Sequence, residues 1–433
     1  MRPWLGPHRR LLQRVAAPIL EFFQIEAAGG IVLVGAAALA LIWANSPWGE
    51  AYERLWTTRI SVDLGPLVLA EDLRHWINDG LMVLFFFVVA LEIKGEFAEG
   101  ELRHARRAAL PIAAAVGGMV VPGLLYLALN VGGGAPEGWG IAVATDIAFA
   151  LGVVALLGHR VPHSMKVFLL TLAIADDVGA IGVIALFYTD DLSLPWLGLA
   201  IGLLGVVVFL RWLRVWYVPA YVLVGVGVWL ATLESGVHAT IAGVALGLLT
   251  PARPLLSRNE AERLVGERSS DKGSAGDVRE TTFLIRESVS VSERLEDILH
   301  PWTSYVVIPL FALANAGVRF DLGTIGEAAA SPVALGTAVG LVVGKPLGIV
   351  ASSWILNRFK PGSIPSGVSW LHIAGIGAVA GIGFTMSLFI AGLAFTGGAP
   401  EFEQAKLGIF AAAVVAAGAG VTMLLAAARR SKR

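Results

Sequence analysis

The sequence predicts an all-α polytopic membrane protein of about twelve transmembrane helices, two of them broken, with a small β-hairpin outside the membrane. Three observations carry that prediction. The 433-residue chain is 56% hydrophobic and only 15% charged, with a mean hydropathy of +0.73, which sets it apart from a soluble globule. Its apolar residues gather in runs close to the ~20 residues that a helix needs to cross the hydrocarbon. Three carboxylic acids and one lysine stand near the middle of such runs: Asp146 in VATDIAFALG, Asp176 and Asp177 in LAIADDVGAI, and Lys345 in LVVGKPLGIV. The net charge of −1 gives no reason to expect a nucleic acid partner, and a chain without Cys forms neither a disulfide nor a thiolate metal site.

In chain order the apolar runs lie at roughly 27–44, 76–93, 108–130, 138–156, 166–188, 194–211, 216–233, 237–250, 303–317, 333–354, 369–396 and 405–427, the eighth and ninth being short. The basic start MRPWLGPHRRLLQR followed by GGIVLVGAAALALIWA could pass for a signal peptide, but the eleven further runs behind it favour an uncleaved first span. An even number of spans puts both termini on one side. With the N-terminus cytoplasmic, 26 of the 32 basic residues fall in cytoplasmic segments, as the positive-inside rule requires. The expected plan is a cytoplasmic segment over 1–26, one transmembrane domain over 27–427 and a cytoplasmic tail over 428–433.

Two segments do not span. TRISVDLGPLVLAEDL, between the first two runs, reads as two short strands around an Asp-Leu-Gly-Pro turn, an external hairpin at about 57–70 through which two copies could pair. Residues 251–300 form a polar cytoplasmic loop. Its stretch RSSDKGSAGD is poor in apolar residues and expected to be mobile, whereas RETTFLIRESVSVSERLEDIL is helical enough to lie at the membrane interface.

Two spans are expected to break. A helix hosts a cation only where backbone carbonyls are freed, and unwound backbone at membrane depth is tolerated only where it lines a cavity. The fourth run has Thr145 and Asp146 at mid-helix; the eleventh, HIAGIGAVAGIGFTMS, has Gly at 375, 377, 381 and 383. At about 1 kcal/mol for each Gly in a helix, so many exceed what close packing asks. The third to fifth and tenth to twelfth spans correspond loosely, each triple with its broken member in the middle, which suggests an inverted repeat. Facing half-helix ends would offer positive N-terminal and negative C-terminal dipole ends, which Asp146 and Lys345 respectively would offset.

A charge at a helix centre costs about 2.5–3.5 kcal/mol, so four cost about 10–14 kcal/mol unless they pair, neutralise or bind an ion. Ion handling is the first expectation. Asp176 and Asp177 point about 100° apart on a helix, so one can bind an ion while the other orients or pairs. Together with Thr145, Asp146 and freed carbonyls they make an all-oxygen set suited to Na+ or Li+ and not to zinc or copper. One carboxylate can hold a proton or help to hold a metal ion, but not both. Coupled to alternating access, that competition makes an exchanger of cations for protons. Lys345 serves as the partner of an Asp when no cation is bound, as a proton carrier, or in a fixed ion pair. Two rival classes are an intramembrane aspartyl protease and a passive cation channel. The first usually shows Gly-x-Gly-Asp, where this chain has Ala-Thr and Ile-Ala before its acids; the second is typically built from symmetric rings, not from one asymmetric cluster with a lysine.

The segments ATDIAFALG, KVFLLTLAIADDVGAI, SGVHATIAG, LHPWTSYVVIPLFALANAGV, GKPLGI and GIGFTMSLFIAGLAF resemble NhaA-type sodium/proton antiporters, with matching segments from about 22 to 427. The resemblance implies inverted repeats with two crossing broken helices, spans 4 and 11, an architecture for which this family is itself a standing example. It also implies export of Na+ or Li+ driven by proton entry, electrogenic and switched on at alkaline pH, without a cofactor, by a homodimer in the bacterial inner membrane. The family's ion-binding carboxylates match Asp176 and Asp177, the residues at the helix breaks match Thr145 and Asp146, and the family lysine matches Lys345. FFFVVALEIKGEFAEG matches the acidic mouth of the cytoplasmic funnel, so Glu92, Lys94 and Glu96, with Glu296 and His300 from LEDILHP, are candidates for pH sensing. Where this chain has Asp297 the family often has His, and an Asp does not titrate near neutrality unless perturbed. His238 in SGVHATIAG resembles a residue tied to the pH response, and Asp79 in WINDG is a candidate secondary contact or N-terminal dipole partner.

Overall fold

The computed structural model describes residues 28–430 apart from 64–67, 133–134, 190–191, 214, 216, 255, 258, 261–262, 264–274, 320–325, 327–329, 366 and 396–397. The N-terminal segment 1–26, the tip of the expected hairpin turn and most of RSSDKGSAGD lie outside the described residues. Among the described residues, seven helices are long and apolar enough to cross a membrane, or nine if each of two bent pairs is one span. The chain divides into two compact units: Met1–Trp56, Leu110–Asp176 and Ile308–Arg433 in the first, Thr57–Ala109 and Asp177–Val307 in the second.

In the first unit, α1 (Ala28–Ala44) bends through 117° into α2 (Gly49–Trp56), a polar helix that the apolar runs did not reveal. Its Tyr52 is buried; the hydroxyl donates to Leu313 O at 2.8 Å and receives Gly317 N–H at 3.1 Å, satisfying carbonyls that a helix end leaves without partners. The other members are the body of α4 (Ala105–Asn130), α5 (Ile147–Leu157), the first half of α6 (His163–Phe187), and α12 (Ile308–Asn315) to α17, the last running Pro400–Arg430. Helix α13 (Pro332–Val339) opens with Pro332 behind Ser331, whose hydroxyl accepts from Val333 and Ala334 N–H, a standard N-cap. It passes through a π-helical turn, Gly340–Gly344, into α14 (Lys345–Phe359). α4 and α14 meet at Gly117 and Gly348. A Cβ on Gly348 would stand 2.0 Å from Gly117 O, so only hydrogen fits there. Helices α15 (Trp370–Ala380) and α16 (Phe384–Ala394) are bent 47° apart, and α17, with Glu401 and Glu403 in its first turn and Arg429 and Arg430 in its last, agrees with its own dipole at both ends.

In the second unit, β1 (Arg59–Asp63) pairs antiparallel with β2 (Val68–Asp72), Arg59 opposite Asp72 and Asp63 opposite Val68. The hairpin thus reaches two residues past the expected 57–70, because Asp72 also caps the next turn, accepting His75 N–H at 2.8 Å. All of β1 is exposed. A π-helical turn, Trp76–Leu81, leads into α3 (Met82–Ala98), followed later by α7 (Leu194–Trp212), α8 (Val218–Leu233), α9 (Thr240–Leu249), α10 (Ala275–Glu287) and α11 (Val291–Trp302). The ninth span is not short: α11 runs on through a π turn, Thr303–Val307, into α12, giving helix over Val291–Asn315. It begins well before the apolar run because Ser290 caps it, accepting Glu293 N–H at 3.2 Å. The base of the 251–300 loop is closed by Leu256 N–H to Glu287 O and Ser292 N–H to Pro251 O, and by a mostly buried Arg294–Glu287 pair at 3.2 Å.

Candidate cation and proton site

The fourth run is broken as expected. A 3-10 helix, Pro136–Ala142, gives way at Val143–Asp146 to non-helical backbone before α5 starts. The eleventh breaks at Gly381–Gly383, between α15 and α16. Its four glycines divide into two kinds. Gly375 and Gly377 are packing residues inside α15, where a Cβ would meet Leu424 at 2.8 Å and Pro346 Cα at 3.0 Å; Gly381 and Gly383 sit in the break, where a Cβ would lie 2.4 Å from Leu341 O and 2.8 Å from Ala144 O. Their φ angles, −68° and −96°, are open to any residue, so space and not backbone conformation selects glycine.

The two breaks are hydrogen-bonded to each other. Asp146 N–H donates to Ile382 O at 2.8 Å, Thr145 Oγ1 to Ala380 O at 2.9 Å, and Ser387 Oγ to Ile141 O at 2.7 Å. The Asp146 carboxylate bridges two helix N-termini. Its Oδ1 accepts Phe149 N–H of α5 at 2.9 Å, and its Oδ2 accepts Thr385 N–H at 3.0 Å and Thr385 Oγ1–H at 2.6 Å, at the start of α16. A single negative charge thus answers two positive dipole ends and several orphan donors. With both oxygens engaged, Asp146 acts here as a double cap. Thr385 and Ser387 were not singled out from sequence; the available signal was a Thr and a Ser in the first turn after a break, the residue types that satisfy free helix N-termini.

Lys345 opens α14 and is fully buried. Its ammonium donates to Val143 O, at the C-terminal end of the 3-10 segment, and to Asp176 Oδ2 at 2.7 Å, the side chains being 0% and 1% exposed. The other oxygen, Asp176 Oδ1, is buried and has no hydrogen-bond partner among the described residues. Buried polar atoms are nearly always satisfied, and a lone carboxylate oxygen is completed by a proton or by a hard cation. Asp177, next on α6, is 3% exposed. Carboxylate, hydroxyl and break-lining carbonyl oxygens fit a hard monovalent cation as cargo.

The remaining candidates lie in the second unit. Glu92 and Glu96 of α3 and Glu296 of α11 are within electrostatic reach of one another, and Glu296 also feels Glu293 and Asp297. His300, exposed, feels Asp297. Lys94 departs from this acid group: two residues on from Glu92, its ammonium reaches Leu248 O at the end of α9, where Arg211 takes Leu249 O at 3.0 Å. Two cations there cap one helix C-terminus. Asp79 lies in the π turn with its carbonyl receiving Trp229 Nε1–H at 2.7 Å, and its carboxylate is near His75 and Glu71. His238 precedes α9 and its carbonyl accepts Ile241 N–H. Lys406, a charge the sequence reading did not single out, is 3% exposed, bonds Glu403 at 2.8 Å and Gly317 O at 3.3 Å, and lies 4.3 Å over the Phe402 ring.

Comparison with known proteins assigns the chain to a family. The family model described as Na+/H+ antiporter 1 matches residues 20–424. The chain is 47% identical to the Na(+)/H(+) antiporter NhaA of Rhodopirellula baltica over 96% of this chain and 95% of that one. It is 46% identical to Na(+)/H(+) antiporter NhaA 2 of Sorangium cellulosum, over 96% and 90%, and 46% identical to the NhaA of Oleidesulfovibrio alaskensis, over 96% and 94%. A match over nearly the whole length, with buried acids, a buried lysine and two joined helix breaks, leads to one conclusion: the chain belongs to the Na+/H+ antiporter 1 family.

Proposed function

We propose that this protein exports Na+ or Li+ electrogenically in exchange for protons at Asp176 and Asp177, with activity rising as pH rises. Membership of the family makes it a multi-pass Na+/H+ antiporter, a secondary transporter and not an enzyme. The observation that supports the site assignment is the divided Asp176 carboxylate, one oxygen on Lys345 at 2.7 Å and the other buried without a partner among the described residues. In this proposal Lys345 occupies half of Asp176 when no cation is bound, an arriving cation competes for the carboxylates, and protons return when it leaves. Lys345 acts as the partner that gives way or as a proton carrier. Asp146 and Thr145 hold the breaks in register, and ligate the cation only if their present bonds open. Glu92, Glu96, Glu296 and His300 act as the proton-responsive cytoplasmic mouth, with Lys94, His238 and Asp79 as secondary contributors. Residues 27–427 act as one transporter domain of twelve spans in the bacterial inner membrane, with two crossing broken helices and both termini cytoplasmic. The wholly exposed β1 supports a homodimer joined through the hairpin.

The test is proton flux in everted vesicles or proteoliposomes, followed with a pH-sensitive dye as Na+, Li+ or K+ is added across a pH series. The proposal expects a response to Na+ and Li+ but not K+, absent in Asp177→Asn. An equal response in that variant, from protein shown to be inserted, removes the site assignment.

A further inference from the structure

The N-terminus of α15 is closed by a histidine. Ser369 is the N-cap and His372 stands three residues on, in the place where a capping box normally carries Glu or Gln. Both halves of the box are formed: the Ser369 side chain accepts the His372 backbone N–H, and His372 Nδ1 accepts the Ser369 backbone N–H at 3.1 Å. The Ser369 hydroxyl also lies 2.8 Å from Nδ1. His372 is 2% exposed. An Nδ1 that accepts a backbone N–H carries no proton, so the capped form requires the neutral ring protonated at Nε2.

We propose that His372 is a positioning residue whose neutral imidazole fixes the start of α15 and whose protonation releases it, making the placement of the eleventh-span break depend on pH. A proton taken up by the ring must land on Nδ1. There it faces the Ser369 N–H, donor against donor, and only the Ser369 hydroxyl can receive it. The same event puts a positive charge in the first turn of a helix, at the positive end of its dipole. Glu in a capping box would do neither.

α15 is the element that carries this change to the site. Its last residue, Ala380, offers the carbonyl that holds Thr145 at 2.9 Å, and the break that follows offers Ile382 O to Asp146 N–H. It packs against α14, α17 and α5. Among the described residues, α14 ends in Arg358 and Lys360, and the last turn of α17, the helix that meets α15 at Gly375–Leu424 and Val379–Gly420, holds Arg429 and Arg430; α5 follows Asp146 at the break. The capping histidine belongs to the first unit, and the acids Glu92, Glu96 and Glu296 belong to the second.

The inference rests on the antiporter reading for its consequence but not for its structural half, and the test keeps the two apart. Hydrogen exchange of the full-length protein in detergent, normalised to intrinsic rates, should show protection over residues 370–376 falling about fivefold between pH 7.5 and pH 5.5, the change that loss of one N-cap represents. His372→Glu should hold protection at both pH values; His372→Ala should be low at both. In proteoliposomes, His372→Glu and His372→Gln should carry Na+-driven proton flux to lower pH than the wild type. Flat protection in the wild type, or a fall in His372→Glu equal to the wild type's, overturns the proposal. The expected exchange pattern in protein that moves no Na+ at any pH would leave the capping device standing and remove the antiporter reading instead.

Discussion

Lys345 and Asp176 form an ion pair at 2.7 Å with neither side chain in contact with solvent, and the pair uses only one of the two Asp176 oxygens. Pairing answers the cost of the two charges without exhausting the carboxylate. Asp176→Asn removes the charge but keeps the shape. We expect inserted protein with Na+-driven proton flux reduced at least tenfold, measured by dye quenching; normal flux would dissociate Asp176 from transport.

Lys345→Ala leaves a buried carboxylate without its partner, a loss of about 3–5 kcal/mol for a buried pair. A large drop in the thermal midpoint in detergent is the expected outcome. Lys345→Arg keeps the charge but cannot release a proton. A stable Arg variant with normal exchange excludes the proton-carrier role, and a stable but inactive one supports it.

Asp146→Ala should be more harmful than Asp146→Asn. Asn still caps helix N-termini well and keeps the bond from Phe149 N–H through its carbonyl oxygen, while its amide cannot accept from both Thr385 donors. Thr385→Val removes a single charge-assisted bond of 2.6 Å, worth about 1.5–3 kcal/mol. Differential scanning fluorimetry should rank the losses Ala, then Val, then Asn. An Asp146→Asn variant that is stable but has lost Na+ affinity would make Asp146 a ligand as well as a cap.

Gly348→Ala puts a methyl group 2.0 Å from Gly117 O, against backbone that cannot step aside. Overpacking of this kind costs about 1–3 kcal/mol or more, and poor recovery of monodisperse protein in size-exclusion chromatography is expected. Gly35→Ala, with nothing within 4 Å of the new atom, is the control and should behave as wild type.

Much of this was legible because membrane burial makes charge conspicuous. Asp146, Asp176 and Lys345 announce themselves against apolar neighbours, and the eleventh-span break follows from its glycines, although Gly375 and Gly377 are there for packing. What stayed hidden depends on partners distant in sequence. Thr385 gains meaning only from Asp146, and Lys94 looks like a member of the acid cluster until α9 is seen to end beside it. The three π turns have no sequence signature, since one extra residue in a helical turn barely alters periodicity. Helix α2 is too short and polar to register as a span, and its place is set by Tyr52 meeting the end of α12.

The bonds from Thr145, Asp146, Thr385 and Ser387 run from one broken span to the other. Substitutions on either side should therefore show strong non-additivity, because the first to sever the junction removes most of what the second could lose. A survey of single variants, scored span by span, would count the same junction repeatedly and overstate how many residues serve the ion directly. Double-mutant cycles such as Thr145→Ala with Thr385→Val separate ligand from scaffold, since true ligands should retain an independent effect on Na+ affinity after the junction has gone.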